Sequence, residues 1–446
     1  MNAPPQADTA PRYTSYPTAP HFHPGIDAAA VEGWISAVPR DERVSLYIHV
    51  PFCDRLCWFC ACHTKQTRHY KPVATFLEAL HHEIRTVAEK LGDRGAIAAL
   101  HFGGGSPTLV APDDMRALMA ALREKFTFLP DAAISVEIDP NDMDEDRLDA
   151  LADIGMTRAS LGIQDFEEKV QKAINRDQSF EDTKAVIDGL RARGVGSVNL
   201  DILYGLPHQT SDSVVATVEK VLSLRPERIA LFGYAHVPWF KKHQTMIDEA
   251  ALPGPEERLA QSLAAAEIIV EAGYDAIGLD HFALPGDSLA RAAACGDLKR
   301  NFQGYTDDGC ETLIGLGPSS VSRYRQGYAQ NVTATGEYER RVKEGRLATA
   351  RGIALSDDDR LRAWVIERLM CDFAFSATEA SARFGQAATP VLAEAALIAE
   401  EKPEAALVRQ GDLFVVPEAR KPLVRLVAAR FDGYLAKGTA RHSAAV

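Results

Sequence analysis

The sequence predicts an α/β protein. Parallel strands alternate with helices and close into a barrel or partial barrel, with an extended N-terminal arm and a smaller, mostly helical C-terminal domain. Three observations predict this. Short β-branched and aliphatic runs alternate with longer amphipathic ones, the pattern of a parallel βα array. Several helical stretches stop at a glycine followed directly by a strand pattern, at Gly155, Gly194 and Gly273, and glycine suits the left-handed position that ends a helix. From Leu355 onward the text turns Ala- and Arg-rich, which marks a separate domain. A doubly wound open sheet made of the same units is the competing architecture.

The candidate strands, in order, are 45–50, 97–102, 134–138, 158–163, 197–204, 228–233 and 275–279. Over 71–91, Val73, Phe76, Leu77, Leu80, Ile84, Val87 and Leu91 recur in steps of three and four, a helix with one buried face. Residues 335–351 read as charged and helical. The domain reading is an arm at 1–30, the barrel at 31–352 and the C-terminal domain at 353–446. The last includes a short strand near 413–416 and a weakly ordered tail at 437–446.

With 446 residues, 46% hydrophobic and 25% charged, the chain can bury a sizeable core without disulfides. No apolar run approaches the ~18 residues that span a bilayer. The proline-rich start, MNAPPQADTAPRYTSYP, lacks an apolar leader, so a cytoplasmic protein with no membrane partner is expected. A net charge of −13 argues against nucleic acid, which needs a basic face. Seven cysteines, an odd number, read as reduced thiols.

Four of those cysteines fall together in YIHVPFCDRLCWFCACHT, as Cys53, Cys57, Cys60 and Cys62, just after the first predicted strand. Thiolate is the usual protein ligand of iron–sulfur clusters. Three ligands on one short loop leave a fourth iron open for substrate or cofactor. A structural zinc site is the alternative. It normally pairs its ligands across a longer insert, and beyond His63 no second pair stands at that spacing.

Polar residues mark other strand ends. HFGGGSPT (101–108) has three glycines where backbone can approach a ligand. Glu137 and Asp139 share one face of their strand, as do Asn199 and Asp201. Carboxylates on one face of an apolar strand point to a lined cavity rather than a packed core.

The Cys-x3-Cys-x2-Cys spacing after a strand, with an aromatic before the third cysteine and a glycine-rich segment one βα unit later, resembles the radical S-adenosylmethionine superfamily. Four further stretches, RYTSYPTA (12–19), LFGYAHVPW (231–239), GLDHFALP (278–285) and RNFQGYT (300–306), together with Cys62, resemble the oxygen-independent coproporphyrinogen III oxidases. The likeness runs from Arg12 to past Arg351.

That resemblance implies a partial barrel with a helical C-terminal domain. It implies a [4Fe-4S] cluster on Cys53, Cys57 and Cys60, whose electron cleaves S-adenosylmethionine to a 5′-deoxyadenosyl radical. The implied reaction turns two propionates of coproporphyrinogen III into vinyl groups. By motif position, Tyr47, Gly104, Glu137 and Val321 would contact a first S-adenosylmethionine, with Phe59 beside its adenine. Gly105, Ser106, Gln164, Arg176, Asp201 and Ala235 match a second S-adenosylmethionine site. Cys62 matches a cysteine needed for activity that is not a cluster ligand, and the RYTSYPTA arm a segment that senses or closes over substrate. Ala61 departs from the glycine common at that position.

The family also implies a monomer, with an electron donor and an acceptor that the sequence does not identify. A substrate with four carboxylates calls for converging basic groups. Arg12, Lys65, Arg68, Lys241, Lys242, Lys299 and Arg300 are the candidates. A haem-binding chaperone of the same superfamily is the other functional reading, although such relatives generally lack the arm and the counterpart of Cys62. Cys295, Cys310 and Cys371 receive no role.

Overall fold

The computed structural model describes residues 10–401 and 406–435, so the tail read at 437–446 lies outside it. The chain forms two compact units. The larger comprises Phe22–Ala272 and Cys310–Ala354; the smaller draws on Met1–His21, Gly273–Gly309 and Leu355–Val446. Residues 273–309, counted above with the barrel, thus group with the C-terminal segment.

In the larger unit the predicted rhythm is realised. The strands are β1 (Arg43–Val50), β2 (Ala96–Gly104), β3 (Phe128–Ile138), β4 (Arg158–Gln164), β5 (Ser197–Tyr204) and β6 (Arg228–Gly233). They alternate with helices α1 (Lys71–Leu91), α2 (Pro112–Lys125), α3 (Glu145–Asp153), α4 (Phe180–Ala192), α5 (Ser211–Ser223) and α6 (Pro255–Glu271). Helix α1 has the predicted bounds, and all seven of its predicted apolar positions are buried. Gly155 and Gly194 follow α3 and α4 with φ of 80° and 86°, the left-handed conformation that glycine adopts without a Cβ clash.

Neighbours β1 to β6 pair in parallel and in chain order. On the other side of β1 lie β7 (Thr312–Leu316), parallel to it, and then antiparallel β8 (Val321–Tyr324), β9 (Gly327–Asn331) and β10 (Thr349–Ala354). Within this unit the array runs β10-β9-β8-β7-β1-β2-β3-β4-β5-β6. Among the described residues no pairing joins its two edges, so the array stays open, as in a partial barrel.

Register carries the polar residues onto successive rungs at one end of the array. Tyr47 stands opposite His101, Glu137 opposite Ser160, Ser160 opposite Asn199, and Gly162 opposite Asp201. Along β5, half-buried Asn199 and Asp201 alternate with buried Val198, Leu200 and Ile202. The helices cover the apolar face, and the other face lines a cavity.

One expectation is corrected. The seventh candidate strand, 275–279, is not a parallel member of the array. It shortens to Asp275–Ile277, reverses at Gly278 (φ 59°), and pairs antiparallel with His281–Ala283. Strands β7 to β10 were not anticipated, because they are brief runs broken by glycine and serine.

In the smaller unit, Tyr13 and Tyr16 of the arm are buried in a core with Trp364, Leu369, Phe375, Phe414 and Phe431. Helices Asp357–Asp372, Ala377–Phe384 and Ala388–Glu400 accompany a small sheet, in which Leu413–Val415 realises the strand expected there. A helix, Ala28–Ser36, begins inside the stretch read as the arm. No helix among the described residues is long and apolar enough to cross a membrane.

Candidate active site

The cysteine segment leaves the end of β1 and is pinched at its base. Phe52–Cys53 pairs with Lys65–Gln66, and Thr67 N–H donates to Cys53 O at 2.8 Å. Its flank is tied down by Trp58 N–H to Ile174 O at 2.9 Å and by Asn175 Nδ2 to Leu56 O at 2.9 Å. The loop between therefore holds its shape, and Cys53, Cys57, Cys60 and Cys62 all line one cavity of about 160 Å³.

The thiols differ in environment. Burial pushes Cys53 up to about 12, against the opposing effect of Thr64 Oγ1 at 3.0 Å. Burial also raises Cys57, opposed by the Arg176 guanidinium. Hydrogen bonding from Cys62, including its N–H to Cys60 Sγ at 3.3 Å, holds Cys60 down, and the same thiol–thiol contact raises Cys62. Cys60 is thus the readier thiolate of that pair. Cys62 is the exposed member of the four.

The donor set fits a cluster. Among the described residues, the group of metal-binding side chains with ligand atoms within 4.8 Å of one another is Asp54, Asp139 and Asp142, not the cysteines. Three thiols on one short loop suit the protein-bound irons of a cluster. His63, the remaining zinc candidate, spends its Nε2 on Thr333 O at 2.7 Å.

The glycine segment forms the adjoining wall. A Cβ on Gly104 would meet the His49 ring at 2.7 Å, and one on Gly105 would meet Phe52 O at 2.3 Å. Backbone without side chains is what brings this strand end against the cysteine loop. Gly104 N–H donates to Glu137 Oε2 at 3.0 Å, and His101 Nε2 lies 3.1 Å from Oε1. Burial raises the Glu137 carboxyl, but the His101 ring and the Gly104 N–H outweigh it, so the net shift is downward. Glu137 stays ionised.

His101 stacks on Tyr47, with centroids 5.8 Å apart. Tyr47 OH reaches His49 Nδ1 at 3.0 Å, and His49 Nε2 reaches His63 O at 2.8 Å. A carbonyl only accepts, so Nε2 carries the proton and Nδ1 accepts from Tyr47. Burial lowers the His49 ring to about 4, which keeps it neutral.

On the far wall, Arg176 donates to Gly162 O at 2.6 Å, Asp139 Oδ2 at 3.2 Å and Cys57 Sγ at 3.5 Å. Asp201 accepts from Asn199 Nδ2 at 2.7 Å and from Ser160 Oγ at 3.3 Å. Gln164 ends β4 with φ 67°, a left-handed conformation that costs a non-glycine residue roughly 1–2 kcal/mol.

Phe59, Gly104, Gly105, Ser106, Glu137, Gln164, Arg176 and Asp201 line the cavity with the cysteines; Tyr47, Ala235 and Val321 do not. Sequence reasoning missed His49, His101, Ser160 and Thr64. The alternation Tyr47-x-His49 on an apolar strand carried a signal for the first. Of the basic candidates, Lys241 donates to Cys62 O at 2.8 Å. In the smaller unit, Lys299 pairs with Glu367 at 3.4 Å and Arg300 lies 3.9 Å from Asp280.

Residues 47–221 match the Radical SAM superfamily. The chain is 48% identical to the oxygen-independent coproporphyrinogen III oxidase of Paracoccus denitrificans, over 98% of this chain and 96% of that one. It is 39% identical to the enzyme of that name from Pseudomonas aeruginosa, over 96% and 94%. A solved structure of coproporphyrinogen III oxidase from Escherichia coli, described as a radical SAM enzyme, superposes with a TM-score of 0.90. It is 37% identical and covers 95% of this chain and 98% of that one.

Proposed function

The chain belongs to the oxygen-independent coproporphyrinogen III oxidases of the radical S-adenosylmethionine superfamily, and from that premise we propose how its residues divide the work. Its reaction is the oxidative decarboxylation of two propionates of coproporphyrinogen III to vinyl groups, giving protoporphyrinogen IX. When bound, the [4Fe-4S] cluster supplies the electron that splits S-adenosylmethionine into methionine and a hydrogen-abstracting 5′-deoxyadenosyl radical.

The observation that carries the assignment is the shared cavity of the four cysteines, the glycine strand end, Glu137 and Arg176. In this reading Cys53, Cys57 and Cys60 hold the cluster, and Phe59 packs beside adenine. Ionised Glu137 orients the Gly104 backbone and accepts from donors on the first S-adenosylmethionine, whose site Tyr47 and Val321 complete. Gly105, Ser106, Gln164, Arg176, Asp201 and Ala235 serve the second. Arg176, beside Cys57, offsets negative charge on the sulfur and keeps that wall fixed. Cys62, exposed and hydrogen-bonded to Cys60, is the thiol free to exchange a hydrogen with the reacting groups.

Each decarboxylation removes one hydrogen atom and one further electron with the carbon dioxide, so an external reductant and an electron acceptor complete the balance. We take the protein to act as a monomer in the cytoplasm, where thiols stay reduced, without nucleic acid or membrane.

The test is anaerobic turnover after iron–sulfur reconstitution, with product identification. Protoporphyrinogen IX and 5′-deoxyadenosine should form together, and formation of neither would sink the reading. Cys53→Ala, Cys57→Ala and Cys60→Ala should each lose the cluster's visible absorbance. Cys62→Ala should keep most of it and lose turnover. Loss of the cluster in Cys62→Ala would overturn the division of roles.

A further inference from the structure

Between β6 and α6 the chain passes along the cysteine turn, and its side chains meet the turn's carbonyls one after another. Gln244 is fully buried and uses its whole amide. Its Oε1 accepts from Val237 N–H at 2.6 Å, and its Nε2 donates to Phe59 O at 2.8 Å and Ala235 O at 3.2 Å. His243 Nε2 donates to Cys60 O at 2.6 Å, and Lys241 Nζ to Cys62 O at 2.8 Å. On the apolar side, Trp58 and Phe59 pack against a buried cluster that includes Tyr234 and Ile247.

None of Lys241, His243 and Gln244 lines the cavity, so whatever they do to the chemistry acts through the turn. Carbonyls need partners where burial keeps water out, as at the part-buried contacts of Phe59 and Cys60. These three side chains supply them at 59, 60 and 62, where a small backbone rotation would re-aim Cys60 and Cys62. Gln244 also binds the carbonyls of two residues assigned to different S-adenosylmethionine sites, Phe59 and Ala235.

We propose that Lys241, His243 and Gln244 are positioning residues for the cysteine turn, and that Gln244 couples the Phe59 and Ala235 sites so that the two move together. The inference rests on the site assignments made under Proposed function. Its consequence is coupling: with the tie cut, cofactor cleavage should continue while the radical is spent less often on substrate. Lys241 adds a cation held at the Cys62 carbonyl, which favours the extra negative charge of a reduced cluster.

The test compares wild type with Gln244→Met, which keeps volume and removes the amide's donors and its acceptor, and with Lys241→Met and Lys241→Arg. In the apoprotein, amide exchange of residues 59–63 should quicken about tenfold in Gln244→Met, the effect of losing one buried hydrogen bond. In reconstituted enzyme the iron and sulfide load should match wild type, while the ratio of 5′-deoxyadenosine to vinyl product rises. Lys241→Met should lower the cluster's midpoint potential, and Lys241→Arg should restore it.

Unchanged exchange at 59–63 overturns the proposal. Faster exchange with unchanged ratio and potential reduces the contacts to fold maintenance and overturns it too. If Gln244→Met does not fold, the half-exposed Lys241 pair decides through the same exchange and potential readouts. Failure of wild type to take up iron and sulfide would instead sink the functional reading, and apoprotein exchange would still decide the positioning role.

Discussion

Arg176 Nη1 donates to Asp139 Oδ2 at 3.2 Å, with the two side chains only 9% and 12% exposed. Thirty-seven residues apart in sequence, they meet behind Cys57. Burial works against the guanidinium's charge, but Asp139 and the Cys57 sulfur outweigh it and raise its pKa. A cation is therefore held beside the Cys57 sulfur.

Arg176→Met should be costly, because it leaves Asp139 as an unpaired buried charge. The expected loss is about 3–5 kcal/mol, the usual result of removing one member of a buried pair. Urea unfolding measures it. The double variant Arg176→Met/Asp139→Asn should recover part of that stability without recovering turnover.

Gly105→Ala tests the close approach of the glycine strand end. Its Cβ would fall 2.3 Å from Phe52 O, and backbone cannot swing aside as a side chain does. Strain of about 1–3 kcal/mol should shift the two segments apart. S-adenosylmethionine affinity, read by equilibrium dialysis, should fall at least about tenfold. Wild-type affinity in this variant would show that the contact does not shape the site.

Glu83 makes stability depend on pH. It is buried on α1 and accepts from Tyr338 OH, Gly317 N–H and Asn331 Nδ2, each at 2.7 Å. Burial wins over these bonds and raises it from 4.5 to about 7. The folded chain thus binds a proton that the unfolded chain has released. Its contribution is full below about 4.5 and is lost as pH rises through about 7. Glu83→Gln should flatten that part of the urea-midpoint profile, and an unchanged slope would refute the assignment.

Tyr16→Phe probes how the arm is held in the smaller unit. Gly433 N–H donates to Tyr16 OH at 3.0 Å, and nearby Tyr13 OH donates to Asp432 Oδ2 at 3.1 Å. Losing the hydroxyl strands a backbone donor, at about 1–3 kcal/mol. The thermal midpoint should fall, and proteolysis near Gly433 should quicken more in Tyr13→Phe/Tyr16→Phe than in either single variant.

Much of this protein is legible in its sequence because the signals are local. The three-and-four spacing of α1, the glycine stops at 155 and 194, and the tight Cys53–Cys62 spacing each act within a few residues, where helix period, φ preference and ligand reach are decided. The segment 275–279 misled for the same reason: its apolar text suits a strand, but nothing local says whether a strand is long enough to join an array or turns back at Gly278.

What the tertiary structure alone decided is which polar groups meet. Tyr47 stands beside His101 because β1 and β2 pair in one register. Arg176 reaches Asp139 because β3 and the segment after β4 converge at one barrel end. Gln244 reaches Phe59 across 185 residues of chain. Register and loop closure are set by the packing of the whole array, so no spacing in the text encodes them. The sequence by itself determined the α/β class, the cysteine loop and the family; packing decided how that loop is held, charged and aimed.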